Sequence, residues 1–228
     1  MDRATGRQVL EGDTNDGTLK LTLDRATSRL RSAELILETG AVRGIDISVR
    51  SIDVGDPATW AIDTAHSTVE FSVRHLMVSK VRGKFENFSG VITVDADGTP
   101  SVTAEIDVTS LNTGNEQRDG HVKSADFFDA ENHPVATFAS TAVRPNGASY
   151  LLDGNLTIKG NTRPVTLSLE FNGVSPGMGQ GEVSGYEASV VINRKDFGVD
   201  LDLPMETGGA VVGDKVTITL DIEAVKQA

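Results

Sequence analysis

Apolar residues at every second position dominate the chain from residue 69 onward, and this constrains the fold more than any other feature. Val69, Phe71 and Val73 share one face of an extended segment, while Glu70, Ser72 and Arg74 share the other. The period returns at Val102-Ala104-Ile106-Val108, at Tyr150-Leu152-Gly154-Leu156-Ile158 and at Val165-Leu167-Leu169-Phe171. It returns again at Tyr186-Ala188-Val190-Ile192 and at Val216-Ile218-Leu220-Ile222-Ala224. A period of two with a polar opposite face specifies antiparallel strands that bury one side only. Asp97-Gly98, Asn146-Gly147 and Asn172-Gly173 supply hairpin-type breaks. The pattern predicts an all-β fold, a barrel in which a one-sided sheet closes on itself. One segment departs from it. His121–Asp129 places Val122, Ala125 and Phe127 or Phe128 on a helical face, which predicts one short helix or a pair of turns, stopped before Pro134.

Residues 1–57 read as a separate β-rich piece, with 58–228 as the barrel domain. Leu19-Leu21-Leu23 and Ile45-Ile47-Val49 alternate, Leu30–Leu37 reads as another strand, and Asp56-Pro57 marks the junction. A piece this short is marginal as an independent core, so it is expected as a small β-sandwich or as strands leaning on the larger domain. Charge bears on partners. Lys and Arg total 21 against 33 Asp and Glu, a net −12, and the first piece accounts for only −2 of it. A surface this acidic disfavours nucleic acid bound through a basic footprint, and disfavours anionic membranes likewise. The absence of Cys removes disulfides, thiolate nucleophiles and Cys-ligated metals. The N-terminal sequence lacks the apolar run of a secretory signal, and no apolar stretch approaches the ~18 residues of a spanning helix. The expectation is a cytoplasmic chain, or a periplasmic or secreted one if processed.

A small barrel is either filled by its own side chains or holds one apolar ligand. Ala104, Gly154 and Ala188 on inward registers among larger residues fit both. Counting by twos leads from Ile192 to Arg194 and from Val73 to His75, so both are aimed inward. An inward Arg needs an anionic partner, either a carboxylate at the rim (Asp119, Asp196 or another) or a ligand head group. The loop Asn112–His121 concentrates Arg118, Asp119 and His121. Arg118 can dock a phosphate through two N–H groups, or it can pin the loop with Asp119. His66, three residues after Asp63, reads as a hydrogen-bonded structural histidine. The His spacing of a zinc site, the Gly-x-Ser-x-Gly elbow and the phosphate loop are all missing. Binding is favoured over catalysis.

Ordered motifs then carry a resemblance. Trp60-x-x-Asp63-x-x-His66-Ser67 leads into Phe71, Val73 and His75, followed by Val81-x-Gly83-x-Phe85-x-x-Phe88-x-Gly90. Next come Asn112-Thr113-Gly114, Arg118-Asp119-x-His121 and Ser124-x-Asp126-Phe127, then His133-Pro134 and Phe138-x-Ser140. Gly154-x-Leu156-Thr157-Ile158-x-Gly160-x-Thr162-Arg163-Pro164-Val165 and Ile192-Asn193-Arg194-x-Asp196-Phe197-Gly198 complete the set. Over residues 60–225 the chain resembles the bacterial YceI family of lipocalin-like proteins. The resemblance implies an eight-stranded antiparallel barrel with one short helix, enclosing an apolar tunnel that binds a polyisoprenoid, an isoprenoid phosphate or an isoprenoid quinone. It implies storage or transport of that lipid rather than an enzyme, no cofactor beyond the bound lipid, and a homodimer in several members. A transient membrane contact stays open. Gly6–Leu23 resembles the carboxypeptidase-regulatory-like β-sandwich, although the piece is shorter than such a module.

Strand parity and the matched motifs together select the expected site. For the tail these are Phe71, Val73, Ile106, Leu156 and Leu167, then Val190, Ile192 and Ile218, with Phe127 and Phe128 near the mouth. For the head group they are Arg118, His121, Arg194 and His75, and no metal ligand is assigned. Two other readings stay open. One is a structural or stress-associated barrel with a packed interior; the other is an enzyme acting on an isoprenoid or quinone, for which His75 is the acid–base candidate.

Overall fold

The computed structural model describes residues 7–14, 17–24, 30–36, 57–96, 98–179, 181–201 and 211–227. The chain divides into two compact units, Met1–Asp56 with Ala96–Gly98, and Pro57–Asp95 with Thr99–Ala228. In the first, β1 (Arg7–Thr14), β2 (Gly17–Asp24) and β3 (Leu30–Ile36) form an antiparallel sheet with β2 in the middle. Leu19 pairs with Leu35 and Leu21 with Ala33, so the alternating leucines do lie on a strand. Ile45, Ile47 and Val49 fall outside the described residues.

The second unit is a barrel. Its strands are β4 (Ala58–Ile62), β5 (Thr68–His75), β6 (Ser79–Phe85), β7 (Phe88–Val94), β8 (Pro100–Asp107) and the two-residue β9 (Leu111–Asn112). After helix α1 (Glu116–Lys123) come β10 (Val135–Asn146), β11 (Ser149–Ile158), β12 (Asn161–Ser175), β13 (Val183–Asn193) and β14 (Val212–Lys226). Neighbours run β13-β12-β11-β10-β8-β7-β4-β14, and β14 pairs back onto β13, which closes the ring. β14 is long enough to take two partners on its other edge: β5 along Val212–Asp221, then β4 along Ala224–Lys226. β4 and β5 therefore act as one interrupted staff, as do β6 and β7, and the closed barrel has eight antiparallel positions. Closure removes the exposed strand edges that an open sheet would leave.

Burial follows the alternation. On β11, Leu152, Leu156 and Ile158 are all below a tenth exposed, while Asn155 between them is exposed. Two local expectations change. Asn146-Gly147 makes the β10–β11 hairpin, with Gly147 at φ 64°. Asn172-Gly173 makes no turn, because Gly173 at φ 107° forms a bulge inside β12 opposite β13. The helix begins five residues before the expected start, since the Asn115 carboxamide caps it by accepting the Arg118 N–H at 2.9 Å. It buries no residue. The aromatic pair that suggested a helical face follows it instead, in turns where Phe127 N–H donates to Ser124 and Phe128 N–H to Val122.

Candidate functional site

The barrel interior collects the ten apolar candidates, all of them buried or half-buried. Phe127, Leu156 and Ile192 belong to the largest buried cluster, against which Ile106, Phe128, Val190 and Ile218 pack. Leu167 joins a second cluster with Leu152 and Ala188. Phe71 connects differently, through an aromatic row. Its ring lies 5.6 Å from that of Phe85, and Phe85 lies 6.3 Å edge-on from Phe128. Phe85, a motif residue outside the ten candidates, joins them in this row, and its parity with Val81 and Gly83 on β6 points inward.

Two glycines explain how rings fit in this wall. Gly83 pairs with Phe71, and a Cβ there would stand 2.5 Å from the Phe71 ring and 2.9 Å from the Thr113 methyl. A Cβ on Gly154 would stand 2.3 Å from the Phe138 ring. The small inward residue at Gly154 is thus room already taken by an aromatic, not open space for a guest.

The polar candidates fall into two groups. Arg118 and His121 sit on α1, over the β6 side of the wall. Arg118 donates from Nε to the Thr113 hydroxyl at 2.7 Å and from Nη2 to the Thr113 carbonyl at 2.9 Å. Asp119 accepts from the Thr113 N–H at 2.9 Å and from its hydroxyl. Both ions therefore grip Thr113, whose methyl covers Gly83 beside Phe71. His121 bonds Asp126 at 3.1 Å, and its ring stands 5.1 Å edge-on from Phe127. An open recess of about 500 Å³ adjoins this loop, lined by Glu86, Ser110, Leu111, Asn112, Asp119 and Lys123 among others.

His75 and Arg194 form the second group, reached through Val212, the register partner of His75. Phe71 and His75 are four residues apart on β5, about 13 Å along the strand. Arg194 opens a 3-10 turn (Arg194–Phe197) and is 5% exposed. Its guanidinium donates to the carbonyls of Gly213 at 3.1 Å, Val199 at 2.7 Å and Val212 at 3.4 Å, and to Asp214 at 3.3 Å. Of the two alternatives for its anionic partner, the chain's own carboxylate is the one present, with Asp214 in that place. Arg194 spends its donors on holding the bulged start of β14.

His66 hydrogen-bonds Asp63 at 2.9 Å in the break between β4 and β5 and lies 3.7 Å from Glu223. The Asp63 carboxylate raises the His66 pKa, and His66 in turn holds Asp63 below the usual carboxylate value. The three groups offer ligand atoms within 4.8 Å of one another, and ion pairing accounts for their arrangement.

Comparison with known proteins places this geometry. The YceI-like domain profile matches residues 60–224. A UPF0312 protein of Staphylococcus aureus strain N315 is 40% identical over 167 residues, 72% of this chain and 95% of the relative. The crystal structure of BcnA from Burkholderia cenocepacia aligns with TM-score 0.61 at 29% identity, over 72% of this chain and 99% of that one. A structure described as a polyisoprenoid-binding domain, from Saccharophagus degradans, aligns with TM-score 0.58 at 16% identity, over 74% and 98%. Through residues 60–224 this chain belongs to the YceI-like domain family.

Proposed function

We propose that the barrel binds a long-chain apolar ligand of the polyisoprenoid type, an isoprenoid phosphate or isoprenoid quinone, for storage or transport rather than chemical conversion. One observation carries this reading. Phe71, Val73, Val216, Ile218 and Leu220 lie on inward registers, yet they remain half-buried in a closed barrel. Inward side chains that keep accessible surface leave apolar area that a bound chain can cover. Burying an alkyl chain against them gains roughly 25 cal/mol per Å² of apolar area, so a long tail supplies affinity without polar contacts. The Saccharophagus neighbour, described as polyisoprenoid-binding, shares the fold.

The tail runs along Phe71, Phe85 and Phe128 toward α1, where His121 and Arg118 stand at the mouth to receive a polar head. Arg194 and His75 serve the opposite end of β5; there Arg194 acts by positioning β14. The test is extraction of protein purified from its native source with organic solvent, followed by mass spectrometry. One lipid per barrel is expected. Extracts without stoichiometric lipid, together with delipidated protein that takes up no isoprenoid quinone, overturn the reading.

A further inference from the structure

The β5–β6 hairpin ends in Leu76-Met77-Val78, residues that are 41%, 56% and 80% exposed. The turn closes through the Val78 N–H donating to the His75 carbonyl at 3.2 Å. Its two central residues take positive φ, 50° at Leu76 and 59° at Met77. That is the backbone of a type I′ turn, for which Asn-Gly is the favoured pair. Leu and Met pay a Cβ clash there that glycine escapes and asparagine tolerates, and they bury little in return. Folding alone has no use for this choice. The tip is also seated firmly: the Leu76 N–H donates to the Val211 carbonyl at 2.9 Å, beside the stretch of β14 that Arg194 grips.

Behind the tip, the outward face of the hairpin is cationic. Arg74 stands directly opposite Lys80, and Arg82 follows opposite Ser72; all three cations are exposed. Like charges directly opposite weaken a strand pair. Among the described residues, none of the three makes a side-chain hydrogen bond or ion pair. Asp214, on the adjoining part of β14, is bonded by Arg194 and Lys195 at 3.3 Å each. The first carboxylate on the hairpin is Glu70, already opposite Lys84. A protein of net charge −12 thus presents an apolar tip inside a positive collar. Salt screens charges beyond roughly 10 Å, so the collar governs a close approach more than the acidic body does.

We propose that the Leu76–Val78 tip docks on an anionic lipid membrane. The three apolar side chains enter the boundary between headgroups and acyl chains, while Arg74, Lys80 and Arg82 meet lipid phosphates. Apolar residues ringed by Lys and Arg are the composition of an interfacial anchor. Docking of this kind is independent of what the barrel holds.

The experiment is flotation of the full chain with phosphatidylcholine vesicles, with and without phosphatidylglycerol, at low and high salt. Binding is expected only with phosphatidylglycerol and is expected to weaken with salt. Leu76→Asn with Met77→Gly relaxes the turn, so its thermal midpoint stays or rises while vesicle binding falls about tenfold or more. Arg74→Gln and Lys80→Gln each lower binding about fivefold. In Val78→Trp, the added indole shifts to the blue with anionic vesicles. Wild-type protein that stays off anionic vesicles overturns the proposal, as does a double variant that binds them equally. A wild-type dimer that ignores vesicles and dissociates in the double variant also overturns it, assigning the tip to a second copy of the chain.

Discussion

The barrel has two unlike walls built from the same kind of sequence. On β11–β13, Leu152, Leu156, Ile158, Leu167, Ala188 and Ile192 are each at or below 8% exposure. On β5, β6 and the first part of β14, Phe71, Val73, Val81, Val216 and Ile218 stay half-buried, and Val69 alone is buried. Both walls alternate apolar with polar residues, and both face the interior. What differs is what stands across from them. The first wall is met by the Phe127 and Phe197 turns and by the Phe138 ring. The second is met by its aromatic row, while Val216 and Ile218 pack at the margin of the first cluster and keep part of their surface accessible. Alternation therefore marks a lining without saying whether the lining is a core or a binding surface.

Truncation should separate the walls most sharply. Leu167→Ala, in the packed wall, should cost about 2–5 kcal/mol, read as a large fall in thermal midpoint. An effect below about 1 kcal/mol would erase the distinction. Replacing the guanidinium that braces the second wall comes next. Arg194→Met leaves three carbonyls short of a donor and should cost about 2–4 kcal/mol by chemical denaturation. Gly83→Ala drives a Cβ into the Phe71 ring and should cost about 1–3 kcal/mol. It should also reduce lipid retained on purification, because Phe71 belongs to the lining.

Ile218→Ala tests the open wall itself. A half-buried side chain facing space should cost only about 1 kcal/mol of stability. Affinity for an isoprenoid quinone, followed by quenching of Trp60, should fall about tenfold. A stability loss equal to that of Leu167→Ala would mean that the second wall is packed as well. The smallest effect is expected at the surface pair. The pKa of His66 is raised above 6.5, so its contribution is complete below 6.5 and fades as pH climbs through the raised value. That of Asp63 is lowered below 3.8, so its contribution is complete above 3.8 and fades as pH drops through the lowered value. Thermal midpoints of wild type and His66→Ala should differ most between those pH values and converge above them.

The two ends of β5 show how far residues alone could lead. Phe71 announces itself by parity and by its motif, and the structure gives it Phe85, Gly83 and Thr113 as neighbours. Arg194 announces itself equally well, as an inward cation in need of an anion. Its partners, Gly213, Val199, Val212 and Asp214, are mostly backbone carbonyls, which carry no residue signature. The apolar tip has no signature along the chain, where Leu76-Met77-Val78 simply follows the alternating strand. Only the positive φ values and the exposure set it apart. The acidic total, likewise, argued against anionic membranes while hiding three cations on one hairpin.

By itself, the sequence determined the all-β class, the one-sided strands, the loop of Arg118 and His121, and membership of the YceI-like domain family. These rest on local periodicity and on residue order, both of which are written along the chain. Tertiary structure decided which inward positions are filled, which arginine is spent on the fold and where the local charge reverses sign. Each of those depends on groups that closure of the barrel brings together from distant parts of the chain. His75 and Arg194 both reach Val212 only because β14 pairs with β5 on one edge and with β13 on the other.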